Sequence, residues 1–404
     1  MSDDEADPEL LALLRQSLGL GGSTTPRPAE TGVLEGAQHV YNNAIDVALD
    51  MRSTKAAATT IWTLMQQKGY STKTWATHEL HPQSRDESTV NFIFTMDLLN
   101  FCFWSERGPD DRFAIEYRGR RWTGYWSLVA ALQRALDEGI PITSSDYWQN
   151  EDEFTEEALK NIFRSATDEE IPLFKERFAC LREAGAVLYD VRDLLVPSPF
   201  LPAKWTTKEF ACRFSNCIQR ANHSAPALVN LLAENFPCFR DESRFEGRRV
   251  PILKRAQILV ADLWACFDGE GYGRFDDIDK ITMFADYRIP QMLHSLGCLQ
   301  YGPTLEHHIR SLQPIEPNEV WEIELRGCSI WAIELIRRDI LQRHPHASIN
   351  AILIDFFLYD TVKEKEAEAL SGVVGREGRE GGVEALSGRQ EAKITNDEYQ
   401  ETII

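Results

Sequence analysis

The chain has 404 residues, 43% of them apolar, with ten Trp and twenty Phe. That is enough to build a large core, and too aromatic for a disordered chain. Its net charge of −20 opposes general binding to duplex nucleic acid, because neutralising phosphates takes a basic surface. With no secretory leader, no apolar run near eighteen residues and no Cys-x-x-Cys pair among the eight cysteines, the expectation is a cytoplasmic chain with buried, reduced thiols.

Composition sets the limits of the body. Residues 1–35 carry seven acids against two bases, and residues 361–404 carry ten against six. The C-terminal stretch also repeats EALSG at 368–372 and 384–388, around GREGREGG. Both ends read as disordered, an acidic N-terminal tail at 1–35 and a low-complexity tail at 363–404, which leaves a body at 36–362.

Helical spacing dominates that body. VYNNAIDVALDM (40–51) and TIWTLMQQKG (60–69) predict amphipathic helices, the second closed by Gly69. STVNFIFTMDLLNFCFW (88–104) starts strand-like, then fits a strand or a buried helix equally. FAIEY, RGR and RWTGYW predict a hairpin turning at Gly119, followed by a helix over 126–139 that stops at Gly139. Helices are predicted near 155–166 and 169–189. A Pro-rich stretch at about 194–208 reads as an inserted surface loop. Further helices are predicted over 228–236, 253–267, 289–297, 326–343 and 349–364. The fold class is therefore mainly α with a small β element, and no longer-range repeat is evident.

Three stretches place polar groups where an ordinary core would not want them. In ITMFADYRIPQML (281–293), Pro290 suits the first position of a helix that buries Met292, Leu293 and Leu296 and ends at Gly297. Asp286 then falls on the turn into that helix, near unpaired N–H groups, as a cap or as a chemical group. In AILIDFFLYDTV (351–362), Asp355 and Tyr359 share a helical face while Asp360 diverges by ~140°. Such acids are either solvated or matched by a positive partner or ligand. In RRVPILKRAQILVADLW (248–264), four bases lie within eight residues at the start of an apolar helix. They suit either plain surface or a phosphate, with Asp262 a possible internal partner for Lys254 or Arg255. THELHP (77–82) offers His78, Glu79 and His81 at a spacing poor for metal, so neither a metal nor a cofactor is expected. P-loop, dinucleotide-binding, zinc-hydrolase and serine-hydrolase motifs are absent.

Taken in order, LNFCFWSE (99–106), YRGRRWTGYWSLVAALQRALDEGIPITS (117–144), ENFPCFRDE (234–242), KRAQILVADLW (254–264), ITMFADYRIPQMLHSLGCLQY (281–301), EVWEIELRGCSIWAIELI (319–336) and ILIDFFLYD (352–360) resemble the queuosine salvage family, the queuosine 5′-phosphate N-glycosylase/hydrolases. The resemblance spans roughly 40–360. It implies an architecture like that of the helical DNA glycosylases and hydrolysis of queuosine 5′-monophosphate to queuine and ribose 5-phosphate, with queuine reused for tRNA modification. It implies Asp286 as the catalytic aspartate, Phe284 in the base pocket, His78 on the substrate, Lys254 at the 5′-phosphate, and Asp355, Tyr359 and Asp360 on the base. The partners implied are a small-molecule substrate and product, with no stable nucleic acid and no membrane. The chain departs from the family pattern in its acidic, Gly-rich ending and its longer Pro-rich insertion. Rival readings are a glycosylase for another nucleoside or DNA base, and a non-catalytic tRNA- or protein-binding scaffold.

Overall fold

Local chemistry sets the ends of the helices. The computed structural model describes residues 29–190 and 213–373, apart from 77 and 312. The chain divides into units at Glu30/Thr31, and the second unit is the one described below. Where spacing predicts one helix over 40–51, the chain forms α1 (Val33–Asn43), then β1 (Val47–Leu49), then α2 (Met51–Lys68). The break has a long-range cause. The buried Glu324 carboxylate accepts the N–H groups of Ile45, Asp46 and Val47 at 3.0, 2.8 and 2.9 Å. Those donors are withdrawn from a helix, and β1 pairs antiparallel with β6 (Leu299–Tyr301) instead. Asp50 caps α2 through the Ser53 N–H, and Gly69, at φ 58°, ends it as predicted.

The short α3 (Lys73–Ala76) precedes α4 (Glu87–Leu98), which settles 88–104 as a helix followed by a loop. Asp86 caps α4, and nine of its twelve residues are buried. A helix wrapped on all sides shows no readable period. The hairpin β2 (Ala114–Tyr117) and β3 (Arg120–Thr123) turns through Arg118 and Gly119, both at positive φ, a type I′ turn. Then come α5 (Tyr125–Asp137), α6 (Ser145–Gln149), α7 (Glu156–Ile162) and α8 (Phe174–Asp190). The predicted insertion near 194–208 lies outside the described residues.

After α9 (Ser215–Arg220) and α10 (Ala225–Asn235), a second hairpin, β4 (Glu242–Phe245) and β5 (Arg248–Pro251), leads into α11 (Lys254–Cys266). This repeats β2, β3 and α5, a correction to the reading of the body as free of repeats. The elements start at 242, 248 and 254 against 114, 120 and 125, an offset of 128 or 129. Both turns run into Gly-Arg-Arg, and both helices are entered through a residue at positive φ, Gly124 and Leu253. Little else in the two sequences matches, so the unit is visible only in three dimensions.

The chain ends with α12 (Arg288–Ser295), α13 (Pro303–Arg310), α14 (Val320–Arg343) and α15 (Ala351–Val373). Because α12 starts at Arg288, Pro290 is its third residue rather than its first, still within the turn where a missing N–H costs nothing. Gly297, at φ 73°, closes it. Composition ended the body at 362, whereas α15 carries the chain to the last described residue. Among the described residues the strands form three two-stranded antiparallel sheets, so the fold is mainly α. Two buried helices organise the core. Helix α14 packs on α1, α2, α12 and α15, and α4 packs on α11, α5 and α8.

Candidate active site

The predicted segment 281–287 crosses the interior as an extended strap, tied down at successive points. Gln257 of α11 receives the Thr282 N–H on its Oε1 at 3.0 Å and donates its Nε2 to the Thr282 hydroxyl at 3.0 Å. The Phe284 N–H donates to Asp355 Oδ1 of α15 at 3.0 Å. Arg326 Nε, from α14, donates to the Ala285 carbonyl at 3.2 Å. Asp286 then caps α12, its Oδ1 accepting the N–H groups of Arg288 and Ile289 at 2.8 and 3.0 Å. Two backbone N–H groups and the positive end of the helix thus converge on this half-buried carboxylate.

Asp355 sits in a different environment. It is buried, and burial pushes its carboxyl well above the usual range, with the negative charge of Asp286 adding to the effect. The Phe284 N–H and the positive charge of Lys254 offset part of that, while Asp360 adds to it. The charges of Asp286, Lys254 and Asp360 thus all act on Asp355, and the strap, α11 and α15 converge there. Asp360 accepts a hydrogen bond from the Tyr70 hydroxyl, and Phe284 meets Phe356 with ring centroids 5.9 Å apart. Asp355 and Asp360 take different partners, the strap N–H at Phe284 and the Tyr70 hydroxyl.

The basic cluster at 248–255 does not act as a unit. Arg248 pairs with Glu35 and Arg249 with Glu242 at the surface, while Arg255 turns into the core to donate to the carbonyls of Leu98 and Cys238. Lys254, at the start of α11, is the member whose charge reaches Asp241 and Asp355. Its own N–H donates to Asp241 Oδ2 at 3.0 Å. Asp241 is desolvated, yet the Arg326 guanidinium outweighs that cost and keeps its carboxyl below the ordinary range. Asp262 does not partner Lys254 or Arg255. It accepts from Trp75 Nε1 at 3.0 Å, and burial pushes it up to about 7.

His78 lies on the loop after α3. Its ring stacks on Trp126 at 3.3 Å, and burial lowers its pKa, favouring the neutral form. His81 stacks on Trp75 at 3.8 Å, contacts the Trp75 carbonyl through Nδ1 at 2.8 Å and meets the Tyr125 hydroxyl through Nε2 at 2.8 Å. Burial lowers His81 to about 4. A neutral ring has one N–H, and a carbonyl can only accept, so the proton lies on Nδ1 and Tyr125 donates to Nε2. Burial raises the Tyr125 phenol, with Asp262, Asp97 and then Tyr359 adding their charges. Tyr359 therefore joins the His78 loop to α15. Asp97 is fully buried, with one oxygen lacking a hydrogen-bond partner, and burial together with Asp262 drives it strongly towards its neutral form.

The structure thus ties the strap carrying Phe284 and Asp286 to Asp355 of α15, where the charges of Lys254 and Asp360 also act, while His78 stacks on Trp126 and Tyr359 acts on Tyr125. Among the described residues, no group of three His, Cys, Asp or Glu side chains is placed to hold a metal ion. Sequence reading missed Tyr70, Tyr125, Asp241 and Arg326, and weighed His81 only as a poor metal ligand. Only Arg326 left a signal, as a cation on an apolar helix four residues after Glu322. Chemically, the site offers a helix-capping carboxylate, buried acids and aromatic faces, with the charge of a lysine acting on them.

Comparison with known proteins identifies the family. The family described as queuosine salvage protein matches residues 80–376. A Schizosaccharomyces pombe protein named queuosine 5′-phosphate N-glycosylase/hydrolase is 43% identical over 83% of this chain and 92% of its own length. Proteins of the same name from Mus musculus and Sphaerobacter thermophilus are each 40% identical, over 84% and 71% of this chain and 95% and 80% of their own lengths.

Proposed function

Because the chain belongs to the queuosine salvage protein family, we propose that it hydrolyses the N-glycosidic bond of queuosine 5′-monophosphate, releasing queuine and ribose 5-phosphate and recovering queuine for tRNA modification. The observation that carries this reading is Asp286 at the N-terminus of α12, its Oδ1 held by two backbone N–H groups, on the strap that Asp355 anchors through the Phe284 N–H.

Queuine is a 7-deazaguanine, so a carbon replaces the N7 that purine-cleaving enzymes protonate. The barrier is lowered instead on the sugar, where positive charge develops at C1′ as the bond breaks. The electron pair of that bond leaves with the base. Water supplies the hydroxyl that closes C1′ and the proton that neutralises the departing base. Asp286 faces the developing charge. Two backbone N–H groups on its Oδ1 draw electron density from it, which favours electrostatic stabilisation with water attack over a covalent ester. Lys254 takes the 5′-phosphate, and Phe284 and His78 present flat faces to the bound nucleotide. Asp355, Tyr359 and Asp360 meet the base, whose guanine-like edge and cationic side arm both suit acids. No cofactor enters this scheme.

The same proposal extends to an architecture like that of helical DNA glycosylases, supported by the helix-rich fold and the acid at a helix entrance. It extends also to a cytoplasmic location with a small-molecule substrate and no stable nucleic-acid or membrane partner. Among the described residues, no helix is long and apolar enough to cross a membrane.

The test is to incubate the purified chain with queuosine 5′-monophosphate, queuosine and duplex DNA, and to follow free base chromatographically. Queuine should appear fastest from the monophosphate, with no abasic DNA. Failure to release queuine from the monophosphate would overturn the reading.

A further inference from the structure

We propose that Arg326 is a positioning residue that couples recognition of the 5′-phosphate to the placement of Asp286. The inference rests on the reading of Asp286 and Lys254 given above, and its geometry stands on its own. The guanidinium is buried in α14 and makes a bidentate pair with Asp241, Nη1 to Oδ1 at 3.0 Å and Nη2 to Oδ2 at 2.6 Å. The same Oδ2 accepts the N–H of Lys254. The Asp241 carbonyl also accepts the N–H groups of Ile252 and Leu253 at 3.0 Å each, so Asp241 fixes the entrance of α11 from both ends of its own residue. On its other edge, Arg326 Nε donates to the carbonyl of Ala285, the residue before Asp286. Glu322 accepts from Nη1 at 2.9 Å, one helical turn before Arg326, and aims the group.

One planar cation therefore holds two chain segments that have no covalent reason to stay in register. One carries the phosphate-binding lysine and the other the catalytic carboxylate. Covalent geometry fixes the separation of the Nε and Nη edges, so the distance between the two segments is set by a rigid spacer. The consequence for rate is specific. Binding energy gained at a non-reacting phosphate raises turnover only if the phosphate's anchor is rigidly related to the group that acts on C1′. A purely structural arginine would affect stability and leave that relation alone.

A lysine at 326 retains the charge opposite Asp241 and loses the Nε–H that reaches Ala285. For Arg326→Lys we expect kcat for queuosine 5′-monophosphate to fall about ten- to a hundredfold, the cost typical of a sub-ångström to ångström misplacement. KM should change little. The loss with unphosphorylated queuosine should be smaller, so that the monophosphate-to-nucleoside ratio of kcat/KM shrinks by about tenfold, as the phosphate advantage is no longer transmitted. Glu322→Gln, which weakens the hold on the guanidinium from within α14, should shift the ratio the same way by a smaller factor. Thermal unfolding identifies the variants that fold, and the ratio is read in those. An unchanged ratio in a folded variant, whether activity is intact or lost equally for both substrates, overturns the inference. A wild-type chain that releases no queuine instead overturns the functional reading beneath it.

Discussion

Asp286 and Asp355 bracket one short strap, and their surroundings push them in opposite directions. Two N–H groups at a helix entrance favour the charge on Asp286, while burial opposes the charge on Asp355. Asparagine caps helices about as well as aspartate. Asp286→Asn should therefore unfold within ~0.5 kcal/mol of wild type yet lose about a hundredfold or more in kcat, read by queuine release and by denaturant melts. Asp286→Ala should lose the activity and also about 1 kcal/mol of cap. His81 gives a pH signature of its own. Its pKa falls from 6.5 to about 4 on folding. Above 6.5 neither state takes up the proton. As pH falls towards 4, the unfolded chain does and the folded chain does not, so stability drains by about 3 kcal/mol. Urea melts between pH 7 and 4 should show this slope, and His81→Asn should flatten it; an undiminished slope would mean that His81 is charged in the fold.

Among the elements, α14 bears most of the constraints. It supplies Arg326 to the strap, Glu324 to the three amides that interrupt the first helix, and Gly327 to the contact with α1. A Cβ at 327 would lie 2.6 Å from Val40 Cβ, closer than two carbons tolerate. Gly327→Ala should therefore push α1 from α14 and cost about 1–3 kcal/mol, measured as a lower urea midpoint. The penalty should shrink in a Val40→Ala background, where the opposing branch is gone. The twice-used hairpin-then-helix unit carries a similar lesson. In the first copy the helix entrance presents Tyr125, which bonds His81, and in the second it presents Lys254, aimed at the acids. One local geometry serves both flanks of the site.

At the scale of the whole molecule, the site exists because α11, the strap, α14 and α15 meet at the far ends of long separations in sequence. The Phe284–Asp355 bond spans 71 residues and the Arg326–Asp241 pair spans 85. Lys254→Ala tests that convergence. Removing a charge-assisted contact worth about 1.5–3 kcal/mol should raise KM for the monophosphate roughly ten- to a hundredfold, with queuosine nearly unaffected. Equal losses on both substrates would detach Lys254 from the phosphate. Sequence alone determined the helix-rich class, the hairpin turn at Gly119 and the helix ends at Gly69, Gly139 and Gly297. Each of these depends on backbone conformations and side chains within a turn or two of one another. Motif order also carried the resemblance to the family that the comparisons show. Only the tertiary structure decided that 40–51 breaks into helix and strand, that Asp262 answers Trp75 rather than Lys254, and that Arg326 bridges Asp241, at the entrance of α11, to the strap that carries Asp286. Those outcomes are set by buried polar groups seeking partners hundreds of positions away or on other helices, and a local period carries no trace of a partner it does not touch.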